Sequence, residues 1–152
     1  MGKIYNIILE STVGTGIYNH TKTFYIDWGR LPQGEYKITF AFNSSEVITV
    51  NATVPNIFID LGQGFNTFIA QNSIASSSYR SSYLGFLLAT GTGDGNSFYC
   101  DATTNPPVYI DNRPTNNNFL VEIHRNTAPF EENYNDPQIG QYTLILSFHK
   151  QD

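Results

Sequence analysis

Apolar and polar side chains alternate along one stretch after another of this 152-residue chain, and a period of two confines it to β structure. Tyr36, Ile38, Phe40 and Phe42 share one face, opposite Glu35, Lys37 and Thr39. Ile48, Val50, Ala52 and Val54 oppose Thr49, Asn51 and Thr53. Phe119, Val121 and Ile123 oppose Asn118, Glu122 and His124, and Tyr142, Leu144, Leu146 and Phe148 oppose Gln141, Thr143, Ser147 and His149. Strands with one apolar and one polar face belong to antiparallel sheets, because parallel strands are covered on both sides. The core expected from this pattern is Tyr36, Phe40, Ile48, Val50, Val121, Ile123, Leu144 and Leu146.

Other stretches alternate less cleanly. Ile4 and Ile8 interleave with Tyr5, Ile7 and Leu9, which reads as a strand buried on both faces. Phe24, Ile26 and Trp28 fall together in a strand over 23–28. Residues 57–61 continue the preceding strand past a bend at Pro55-Asn56, and 83–90, 97–101 and 108–110 complete the set. No stretch carries a helical period, and the serines of residues 73–82 predict a loop.

The connections are rich in turn residues. Residues 43–46 and 90–96 read as hairpin loops, residues 29–34 as a turn feeding a strand, and 126–140 as a long loop before the last strand. Pro106 and Pro107 lack the N–H that a sheet ladder needs, so the short apolar run after them is an edge or the start of a strand. Pro114 with Asn116, Asn117 and Asn118 then makes the turn into the next strand. The expected fold is all-β: one domain, residues 1–152, forming an antiparallel β-sandwich with Greek-key links, of the single jelly-roll form.

Composition narrows the function. Charged residues make up 14% of the chain against the usual ~25%, so its surface is covered by amides and hydroxyls and repels other copies weakly. The net charge is −5 and the 8 Lys and Arg are scattered, which argues against a nucleic-acid surface. Cys100 is the single cysteine, so no internal disulfide forms, and a reducing compartment fits. Its expected role is that of a small buried apolar residue. The sequence shows no signal peptide and no apolar run long enough to span a membrane.

No catalytic constellation stands out. His20, His124 and His149 fall in a turn or on polar strand faces, and no serine sits in a nucleophile elbow. Asp94, Asp101, Asp111, Glu131 and Glu132 flank turns or lie in loops without the spacing of a carboxylate pair. Asp94-Gly95-Asn96 resembles the start of a calcium loop but lacks the glutamate that would close it. Neither a metal nor a cofactor is expected. Carbohydrate binding is the alternative from another class, with Trp28, Tyr79, Tyr99, Tyr109 and Tyr134 as the aromatics that could stack on a sugar.

The run DWGRLPQGEYKITFAF, ending at Phe42, resembles the strand–turn–strand of small single jelly-roll capsid proteins of large double-stranded DNA viruses. NPPVYIDNRPTNNNFLVEIH, from Asn105, and the closing GQYTLILSF resemble those chains as well. The resemblance implies a minor capsid or cement protein of the virion, assembled in the host cytoplasm, with no catalytic residues. Its implied partners are major and other minor capsid proteins and copies of itself, joined through sheet faces and loops. The contacts expected on the loops are Pro106, Pro107, Tyr109, Arg113, Pro114, Asn116 and Asn117, then Pro129, Phe130, Tyr134 and Pro137. Proline-stiffened loops lose less entropy on docking. The alternative reading is a glycan-binding sandwich such as a host-attachment module.

Overall fold

The structure, a computed structural model, describes residues 2–11, 21–44, 57–71, 80–89, 98–125 and 141–151. The strand expected over 47–54, with Ile48 and Val50, and the loops over 45–46, 90–96 and 126–140 lie outside the described residues.

Eleven strands are described: β1 (Ile4–Glu10), β2 (Thr21–Tyr25), β3 (Tyr36–Ser44), β4 (Ile57–Asp60), β5 (Phe68–Gln71), β6 (Arg80–Tyr83), β7 (Gly85–Ala89), β8 (Phe98–Cys100), β9 (Val108–Ile110), β10 (Asn118–Arg125) and β11 (Tyr142–Lys150). Eight of them pair in the order β1-β11-β3-β8-β7-β4-β10-β2, every pairing antiparallel. Sequence neighbours mostly alternate between two four-stranded layers, β1-β11-β3-β8 and β2-β10-β4-β7. That is the order of a single jelly roll. The β7–β8 pairing joins the layers along one side, and on the other β1 and β2 end the path with no second partner among the described residues. β9 adds to the β3 edge beyond β8, and β5 with β6 forms a separate two-stranded sheet.

Alternation placed the inner faces correctly. Tyr36, Ile38, Phe40 and Phe42 of β3 are buried, as are Leu144, Leu146 and Phe148 of β11 and Phe119, Val121 and Ile123 of β10. Between the layers, aromatic rings meet edge to face around Phe148. Its centroid lies 5.6 Å from Trp28, 5.7 Å from Tyr36 and 6.1 Å from Phe65, while Trp28 and Phe65 both also meet Phe119, at 5.5 and 5.7 Å. The cluster thus ties β11 and β3 in one layer to β10 in the other.

Four local expectations change. Trp28 leaves the strand: it opens a 3-10 turn, Trp28–Arg30, because the Asp27 carboxylate accepts from Gly29 N at 3.2 Å and the chain closes with Leu31 N donating to Trp28 O at 3.0 Å. Its ring stays on the inner side, 2% exposed, with Nε1 donating to Asn116 O at 2.8 Å. Ile4 and Ile8 are 52% and 60% exposed rather than buried, since among the described residues nothing covers the outer face of β1. Arg80–Tyr83 is a strand rather than a loop, because its partner β5 supplies backbone pairing that serine propensity does not forecast. β5 itself gave no alternating signal over its four residues.

The proline-rich stretch after β8 is held by an amide acting as a strand backbone. Buried Asn105 accepts from Phe86 N through Oδ1 at 2.9 Å and donates through Nδ2 to Phe86 O at 2.9 Å, satisfying β7 where Pro106 and Pro107 cannot. Gly85 must be glycine for this approach: a Cβ there would stand 2.7 Å from Phe40 Cζ and 2.8 Å from Asn105 Cγ. Gly34, at φ +128°, makes the reversal into β3 that a side chain would strain.

Two stability changes follow. Phe148→Ala should lower unfolding free energy by about 3–5 kcal/mol, because it empties the centre of the ring cluster. Tyr142→Phe should raise it by about 1 kcal/mol or more, because the Tyr142 hydroxyl is buried with no partner among the described residues. Urea titrations of both variants measure these changes.

Candidate interaction surface

The outer face of the β1-β11-β3 layer is built in rows that the strand register dictates. Ile8 stands beside Ile145, and Ile145 beside Ala41, giving one apolar row. The next row toward the other end of β11 is Asn6, Ser147 and Thr39, and the one after it Ile4, His149, Lys37 and Tyr109. Glu10, Thr143, Asn43 and Tyr99 close the opposite end. Across these four rows the only ionisable side chains besides the tyrosines are Lys37, Glu10 and His149.

Polar side chains of its second and third rows pair with one another. Ser147 Oγ donates to Asn6 Oδ1 at 2.7 Å, and Thr39 Oγ1 and His149 Nε2 are hydrogen-bonded at 3.2 Å. Covering such groups strips few bonds to water, so the desolvation cost of a partner is small. Beside the apolar row lies a shallow hollow of about 550 Å³, bounded by Ala41, Asn43, Tyr99, Thr143 and Ile145. Tyr99 is 40% exposed at its rim, and Tyr109 is 62% exposed at the far end.

The loop residues expected to make contacts divide into presenting and structural groups. Pro106, Tyr109 and Asn116 are exposed, and Pro107 and Asn117 half-buried. Arg113 donates from Nη1 to Leu31 O and, at 3.4 Å, to Gly29 O, so its guanidinium fastens this loop to the turn before β3. Pro114 is buried. Asn112 Oδ1 accepts from Gly34 N and Arg113 N, both at 2.9 Å, and Asn116 Oδ1 from Asn118 N at 3.0 Å. The amides therefore set the loop's own shape. Pro129, Phe130, Tyr134 and Pro137 lie outside the described residues. The outer strand residues Ile4, Ile8 and Ile145 were missed as surface candidates; the only signal for them was apolar residues at polar-face positions of β1 and β11.

The candidate chemical groups do not converge among the described residues. β10 and β11 do not pair, so His124 and His149 sit in different layers. Asp101 Oδ1 accepts from Thr103 N at 2.8 Å and Thr103 Oγ1 at 2.5 Å, and these bonds hold its carboxyl below the usual range. That is a self-capped turn. No cluster of three metal-ligating side chains occurs among the described residues. No helix among them is long and apolar enough to cross a membrane. Burial pushes the Cys100 thiol up to about 12. Of the aromatics proposed for sugar stacking, Trp28 is buried, Tyr79 and Tyr134 lie outside the described residues, and only Tyr99 and Tyr109 stand out. They flank positions 43 and 37 of β3, so about 20 Å separates them at the rise of an antiparallel strand. They cannot clasp one sugar ring.

Compared with known proteins, no family model, no curated protein and no solved structure matches this chain.

Cys100 should resist alkylation in the folded protein. A thiol near pKa 12 holds about a thousandfold less thiolate than an ordinary one, so iodoacetamide should label Cys100 only after denaturation. Mass spectrometry with and without urea checks this.

Proposed function

We propose that this protein is a non-catalytic structural component of a viral capsid, a minor capsid or cement protein that binds neighbouring shell proteins. The observation that carries the adhesive part of this reading is the Ile8–Ile145–Ala41 row beside its hollow, on a rigid sheet face with few charges. A docking patch depleted of charge at its centre, with aromatics at its border, has the composition of protein interfaces. Tyr99 is the anchor at the hollow and Tyr109 the second contact. The jelly-roll order agrees with the capsid reading, which otherwise rests on the sequence resemblance at the turn into β3, the proline-rich loop and β11. Glycan binding is the weaker reading because the two standing tyrosines are too far apart for one ring.

Mass spectrometry of purified virions tests the assignment directly. The chain should be present in stoichiometric amounts, and Ile145→Lys should reduce its incorporation tenfold or more with the melting temperature unchanged; tenfold corresponds to about 1.4 kcal/mol of contact. Absence of the chain from purified particles would sink the capsid reading. Incorporation of Ile145→Lys at the normal level would remove this face from it, and sugar binding lost in Tyr109→Ala would favour the glycan reading instead.

A further inference from the structure

The open side of the sandwich carries a strand edge with nothing paired to it among the described residues. Lys150 N donates to Lys3 O at 3.0 Å, and Ser11 N to Tyr142 O at 2.9 Å. In an antiparallel ladder, facing residues alternate between exchanging both backbone bonds and exchanging none. The odd-numbered residues of β1 therefore bond to β11. The N–H and C=O groups of Ile4, Asn6, Ile8 and Glu10 point the other way, and among the described residues none of them meets a partner. Natural edges of this kind are normally blunted by proline, inward charge or a bulge. β1 has none of these along Ile4–Leu9.

We propose that β1 is the pairing edge of a twofold dimer, in which a second copy of this chain lays its own β1 antiparallel against it. This goes beyond the docking face described above and uses a different surface. Two features favour a second copy over an unrelated strand. First, the edge is self-complementary. Only even-numbered residues can face each other, and centring the pair on Asn6 sets Ile4 of each copy opposite Ile8 of the other on the outer face. The same register sets Tyr5 opposite Ile7 on the inner face. Centring on Ile7 would instead press Glu10 against Ile4. Second, apolar surface waits to be covered. A cleft of about 460 Å³ opens between β1 and the turn after β2, lined by Tyr5, Ile7, Leu9, Tyr25, Ile26 and Leu31. Tyr5 and Ile7 are half-buried there, and Tyr25 is 76% exposed.

The pairing continues one layer of the sandwich from copy to copy. An edge of seven residues falls short of the roughly 1,200 Å² at which stable complexes begin, so free protein dimerises in the micromolar to millimolar range. Local concentration within an assembly would then drive it to completion.

Sedimentation velocity over a concentration series tests the proposal on the full chain. The wild type should shift from monomer to dimer by near-millimolar concentration. Asn6→Pro removes an outward N–H and no backbone bond to β11, losing there only the exposed side-chain bond from Ser147, so it should stay monomeric with its fold retained. Ile4→Lys sets a cation against Ile8 of the other copy from a position already 52% exposed, so it should weaken the dimer severalfold with the fold retained, which guards against a proline variant that misfolds. Asn6→Cys should oxidise to a covalent dimer across the twofold axis, where facing Cα atoms lie about 5.5 Å apart. Ile8→Cys alone should not. A wild type that remains monomeric at near-millimolar concentration would leave the edge to another protein's strand and overturn the proposal. So would a dimer indifferent to Ile4→Lys and without the Asn6→Cys cross-link.

Discussion

Chain connections and the β7–β8 pairing tie the two layers at their margins, and the rings around Phe148 hold them face to face at the centre. Phe148 from β11 and Tyr36 from β3 meet Trp28 and Phe65, and both of these meet Phe119 from β10. Edge-to-face rings gain from their quadrupoles as well as from leaving water. The Trp28 indole adds direction, because its N–H has one acceptor, Asn116 O. That bond fixes the 3-10 turn against the loop leading into β10. One aromatic centre therefore touches both layers.

The backbone at the loops is satisfied by side chains wherever proline or a turn prevents pairing. Asn105 substitutes for a missing strand at Phe86, and Ser44 Oγ accepts from buried Phe98 N at 2.8 Å. Ser11 Oγ does the same for Tyr142 N at 2.8 Å. A buried N–H left alone costs about 1–3 kcal/mol, so these short polar side chains contribute more than their size suggests. The abundance of asparagine and serine, which composition alone reads as surface, is partly a structural requirement.

The outer row through Ile8 and Ile145 faces outward, and beside it β1 presents an edge that no other described strand pairs with. A rigid flat face and a free strand edge recruit different partners. The first takes a complementary surface of another protein, and the second takes only an extended backbone. Low charge keeps contacts at either place from being opposed at long range.

Much of this architecture is legible in the residues themselves. Alternation assigned the inner faces of β3, β10 and β11, because one apolar face per strand is a local property that burial enforces everywhere along it. The prolines at 106 and 107 marked β9 as marginal for an equally local reason, the missing N–H. What sequence could not decide was whether Ile4 and Ile8 of β1 meet protein or solvent, since the same apolar residues suit either. Nor could it show that Arg80–Tyr83 finds β5, or that Tyr99 and Tyr109 stand far apart on one face. Those outcomes depend on which distant strands become neighbours and on where the sandwich stays open. Only tertiary structure sets that, because pairing joins residues the chain keeps far apart.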